Sequence, residues 1–342
     1  MEKFDLHVLA RTGTLHTIPP EALTLANLSA GNAAGNTAFH TAAKYGQLAQ
    51  LPGALVNADT LSIKNDSGYT PLHHAALGGH LDQVPRELLT TEALGTRSNS
   101  GYTVYHLAAA TGHLGQIPAH FITTQVVLGR NDLGNNLLHE AAEAGTIAKV
   151  PVNYINAESL GSQNISGETV LHVAALNGHF DQIPAEFLSP AALLEQTTAG
   201  DTVFHAAAIS GNLGQIPDHF LTREHLVVES KSGFTAIHAA AETGQLNQIP
   251  SDRLSKDLLL TRNDNGDTPL HAAAFEGHLQ QIPTALFTAD LLNVRNYDGV
   301  TVGRIAMDRG FGDQIPPQLR PKSPGVIGKL FVKTGLSRPP FA

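Results

Sequence analysis

The sequence of 342 residues contains no cysteine and no tryptophan. Without cysteine it has no disulfide framework, no thiolate zinc site and no cysteine nucleophile. That fits a reducing compartment. Charged residues are scarce at 15%, against 42% hydrophobic residues, which argues against disorder and supplies a large core. No apolar run reaches 18 residues, so no segment reads as a membrane span. The opening stretch, MEKFDLHVLARTG, lacks the basic start and apolar run of a secretory signal. The net charge of −9 disfavours nucleic acid as the main partner, because phosphate binding needs a basic face.

What the sequence has in abundance is repetition. A glycine opens a G-x-T-type motif at Gly35, Gly68, Gly101, Gly134, Gly167, Gly200, Gly233, Gly266 and Gly299, always 33 residues apart. His7, Ala10 and Gly13 fall in phase with His40, Ala43 and Gly46, so ten units cover about residues 1–316. Residues 317–342 form a separate basic, proline-rich tail. A fixed period of this length marks stacked supersecondary units. Asparagine three residues before the glycine, as at Asn65 and Asn164, suits a tight turn with positive φ at the glycine. Threonine at the helix start caps a free N–H. Gly46, Gly79, Gly112 and Gly178 are expected to end the helix.

The stretch G-x-T-P-L-H-x-A-A, nearly complete at Gly68–Ala76 and Gly266–Ala274, resembles the first helix of an ankyrin repeat. The likeness extends over more than nine-tenths of the chain. It implies an all-α, ankyrin-like solenoid of about ten stacked units. The second half of each unit departs from that pattern. Proline recurs at Pro19, Pro52, Pro85, Pro118, Pro151, Pro184, Pro217, Pro250, Pro283 and Pro316. Proline inside a helix removes a hydrogen bond and clashes with the preceding turn. The second helix is therefore expected to break into short turns, with Pro184 at the first helical position of a new turn. Five residues after each proline but the last stands Ser, Thr or Asn, from Thr24 to Thr288, which predicts a third short helix with a good N-cap. A glutamine precedes the proline step in eight units, for example Gln116 and Gln215. These are expected to pair the backbone groups freed by the break.

The 18 histidines invite a metal or acid–base reading. Nine recur with the unit, from His7 to His271. Stacked units lie about 10 Å apart, the spacing of packed helices. Zinc–nitrogen bonds are about 2 Å, so equivalent histidines cannot share an ion. They read as bridges between loop backbones. His139-Glu140-Ala141-Ala142-Glu143 lacks the second histidine of a zinc helix. No catalytic site, cofactor site, metal site or small-molecule substrate is inferred.

A solenoid presents the same helix position on one face again and again. Nine residues after the turn glycine the series reads Lys44, Leu77, Ala110, Glu143, Leu176, Ile209, Glu242, Phe275 and Asp308. Leu77, Leu176, Ile209 and Phe275 are large and apolar where ankyrin-like units usually expose the side chain. Tyr69, Tyr102 and Phe234 follow the turn glycine and add aromatic anchors. These seven are the candidate partner-binding residues of a concave face. The expected function is non-catalytic protein binding, in the cytoplasm. The other readings are a structural spacer or scaffold within a longer array, and a bacterial effector delivered into a host cell. The tail carries Arg320, Lys322, Lys329, Lys333 and Arg338 and no acid. It reads as a segment folded back on the array, a linker, or a docking helix built on Val326, Ile327, Leu330, Phe331 and Leu336.

Overall fold

The computed structural model describes residues 4–320, so the docking-helix stretch lies outside the described residues. Ten units stack in chain order. Each opens with a helix of seven or eight residues, from Leu6–Thr12 and Ala38–Lys44 to Pro269–Glu276 and Val302–Asp308. Each of these first helices packs on that of the next unit. There is no strand among the described residues beyond three isolated antiparallel bridges at the turns.

Local chemistry dictates these helices. In the third unit Thr70 is the N-cap of Pro71–Gly78, and the His73 ring stands where a capping box usually places Glu or Gln. Gly79 ends the helix at φ +72 in the left-handed region. Ala75 and Ala76 are fully buried and let neighbouring helices approach. Gly78 goes further: a Cβ there would lie 1.9 Å from the Lys44 carbonyl oxygen, so only glycine allows this close approach. The turn glycine Gly68 has φ +77, and a Cβ would lie 2.7 Å from the Asn99 backbone nitrogen. Dihedral angle and neighbour both exclude a side chain there.

The second half of the unit is broken, as expected. In the sixth unit it runs as two single 3-10 turns, Phe180–Gln182 and Ala185–Phe187, followed by the short helix Pro190–Leu193. Pro184, however, is not the first helical residue. It is extended, at φ −62 and ψ 131, and its carbonyl accepts from the Phe187 N–H at 3.0 Å. Its own extended ψ makes Pro184 the N-cap, so the turn begins one residue later. All nine expected caps, Thr24 through Thr288, stand at the N-cap of a third helix. In the tenth unit the turn Pro317–Leu319 repeats Ala185–Phe187, so the unit pattern continues past residue 316.

Three polar ladders join the units. In the first, His73 Nδ1 accepts the Thr70 N–H at 3.1 Å, which leaves the proton on Nε2. Nε2 then donates to the Tyr102 carbonyl of the next unit at 3.1 Å. His40, His139, His172, His205, His238 and His271 donate across in the same way. His106 instead donates within its own unit, to the Gly129 carbonyl. With both ring nitrogens engaged, these histidines have no lone pair to offer a metal. Burial lowers their pKa, to about 4 for His73, His139, His172 and His238.

The glutamines form the second ladder, with partners other than those expected. Gln116 Nε2 donates to the Gly79 carbonyl at 2.7 Å, and its Oε1 accepts the Leu81 N–H at 2.9 Å. Gln215 bonds Gly178 and Phe180 alike, at 2.8 and 3.0 Å. Both partners lie in the preceding unit, at the end of its first helix and the start of its first 3-10 turn. They are not the groups freed by the proline, because the carbonyls around the break are already used by single turns. These side chains are half-buried rather than buried, and Gln83 is exposed and makes no such bond. The third ladder was not anticipated. Lys64, Arg97 and Gln196 each donate to the carbonyl of the residue 33 positions on, at 2.8, 2.7 and 3.1 Å.

Candidate protein-binding surface

The C-terminal end of each first helix carries the candidate series. Leu77 is 37% exposed. Leu176, Ile209 and Phe275 are half-buried and pack on the edge of the core. Leu176 and Ile209 come from adjacent units. Leu77 lies three units from Leu176, about 30 Å at the usual helix spacing. The apolar residues therefore form separate patches. Phe275 is partly covered, since the Arg309 guanidinium lies 3.9 Å from its ring centroid and Nε donates to its carbonyl at 3.0 Å.

Tyr69, Tyr102 and Phe234 are also half-buried. Each ring neighbours the ladder histidine of its own unit, at 5.3, 6.1 and 5.3 Å between centroids. Each backbone carbonyl receives the histidine bond of the preceding unit. The ladder thus fixes the backbone that carries each aromatic ring.

Comparison with protein families fits this architecture. The model for ankyrin repeats in three copies matches residues 39–117, and the single ankyrin repeat model matches residues 265–297. The chain contains ankyrin repeats. No curated protein matches it. Ankyrin repeats are in general protein–protein interaction modules. Among the described residues of this ankyrin array, no helix is long and apolar enough to cross a membrane.

Several features of the surface escaped the sequence reading. Glu140 is buried at 4% exposure, and its Oε1 accepts from Asn131 Nδ2 at 2.9 Å and Asn135 Nδ2 at 3.1 Å. Burial, reinforced by Glu143, pushes its carboxyl up to about 7. The usable signal was an acid directly after the motif histidine, where other units carry Leu107, Val173 or Ala206. Burial, with Glu140 and Glu143 nearby, likewise pushes the Tyr102 phenol up to about 12. Glu242 is raised by burial and by Glu276. At the turn tips, Leu133 is 50% and Ile165 67% exposed, and the Ile165 N–H donates to the Leu133 carbonyl at 3.1 Å. Other tips carry polar residues there, such as Asp66 and Asn99, and that contrast was the available signal.

Proposed function

We propose that this ankyrin array is a non-catalytic module that binds a protein partner along its concave face. Leu77, Leu176, Ile209 and Phe275, with Tyr69, Tyr102 and Phe234, are its contact residues. The observation that carries the reading is the incomplete burial of Leu77, Leu176 and Ile209 at one register of a scaffold whose histidine ladder is fully satisfied. Large apolar side chains held at a rigid surface are typical anchors of binding energy. A spacer would need no apolar side chains at that register.

The test is a quantitative pull-down from lysate of the source cell. The native chain is compared with a variant carrying Leu77→Ser, Leu176→Ser, Ile209→Ser and Phe275→Ser, after circular dichroism has shown equal helicity. A partner retained by the native chain and lost from the folded variant supports the reading. Equal retention by both would place the site elsewhere on the array.

A further inference from the structure

The register that carries the apolar contacts also carries charge, and the charge changes sign along the array. In the fifth, eighth and tenth units it is acidic: Glu143, Glu242 and Asp308. In the first two units the same position is Arg11 and Lys44. Both are exposed, and among the described residues neither is in an ion pair.

These two cations border a cleft of about 240 Å³ that also takes in His7, Thr41, Asn36 and His74. At two positions of its lining the second unit carries smaller side chains than the third and fourth units. Asn36 stands at the position of Tyr69, Tyr102 and Phe234. Thr41 stands at the position of His74, Leu107 and Glu140. The lining includes no carboxylate. His7 Nδ1 meets Thr41 Oγ1 at 3.3 Å, and His74 Nε2 meets Asn65 Nδ2 at 3.4 Å, so hydrogen-bonding groups frame the space between the cations. Burial, with His40 and Lys44 alongside, lowers the His74 pKa to about 3. In a protein of net charge −9, this hollow is built to attract an anion.

We propose that the cleft between the first two units is a carboxylate pocket, which receives an acidic side chain of the protein segment bound along the concave face. The proposal rests on the function proposed above and adds the partner's chemistry. Arg11 supplies a planar fork for two carboxylate oxygens, and Lys44 supplies a second positive charge. The next exposed apolar group along the register is Leu77, so the bound segment carries an apolar residue next to the acid.

The test uses the full chain and two fluorescein-labelled peptides, read by anisotropy. One has two adjacent glutamates followed by leucine, and the other has glutamine in place of both glutamates. The acidic peptide is expected to bind at least tenfold tighter. The double variant Arg11→Glu with Lys44→Glu, at two exposed positions, is expected to erase that preference without loss of helicity. A preference below twofold, or one that survives the double variant, overturns the proposal. Inorganic phosphate is the second arm: competition as effective as that of the unlabelled acidic peptide would assign the cleft to phosphate groups and overturn the carboxylate assignment. The variant with four serines separates the two readings. It should weaken both peptides and leave the preference intact; if it weakens neither while the preference stands, the carboxylate pocket holds and the concave-face contacts fail.

Discussion

The two halves of each unit are held by different physics. The first half is a short helix buried on its neighbours, with alanines at the contacts and a histidine whose two nitrogens are spent in the interior. The second half is a string of short turns that also buries apolar side chains, such as Leu81, Leu94 and Leu114, and is tied to the preceding unit by a half-buried glutamine. One half depends on groups that must stay neutral and dry. In the other, the polar link between units is a set of hydrogen bonds that water can replace. Units of one sequence family therefore combine a pH-sensitive seam with a forgiving one.

The largest test of this contrast is acid. His73, His139, His172 and His238 bind protons near pH 4 when folded and near the ordinary value of 6.5 when unfolded. Between those values the unfolded chain takes up protons that the folded chain refuses, so stability falls as pH drops from 6.5 towards 4. Each such histidine removes roughly 3 kcal/mol at the bottom of that window. Thermal midpoints measured from pH 7.5 to 4.5 are expected to fall steeply below 6.5, and a flat profile would refute the buried neutral ladder.

Glu140 gives an intermediate effect of opposite sign. Its folded pKa, about 7, lies above the ordinary value of 4.5, so burial costs stability as pH rises through that interval and above it. Glu140→Gln keeps an acceptor for Asn131 and Asn135 and removes the buried charge. It is expected to stabilise the array by about 1–3 kcal/mol at pH 8 and by almost nothing at pH 4. Urea titrations at the two pH values measure the difference.

The smallest effect lies in the outer half. Gln215→Ala removes two bonds to the preceding unit and is expected to cost about 1–2 kcal/mol. Gln83→Ala removes none to that unit and should change stability by less than about 0.5 kcal/mol. Equal costs in denaturant titrations would show that the glutamine ladder adds nothing beyond helix packing.

The period, the capped third helices and the break at each proline were legible because each rests on one residue type acting on its own backbone. Thr24 or Ser255 caps a helix wherever the fold puts it. The errors came where partners lie in another unit. Gln116 reaches a glycine carbonyl 37 residues back, and sequence spacing does not reveal which carbonyls remain free. Pro184 was misplaced by one residue because its fixed φ suits the N-cap as well as the first helical position, and its extended ψ decides for the N-cap. The cleft of the first two units was hidden for a different reason. Its lining is drawn from separate units, Arg11, Lys44 and His74 among them, and a void is visible only against the neighbours that surround it.

The ladders also govern how such a chain can change in length. Their bonds join residues 29, 33, 35 and 37 positions apart, each taken one unit forward or back. Deleting or duplicating 33 consecutive residues keeps the ladder positions in register, wherever the cut falls. Removing 32 puts all three ladders out of phase at the joint. Recombination between units can therefore lengthen or shorten the protein freely in whole steps, while a single-residue slip inside a unit breaks it.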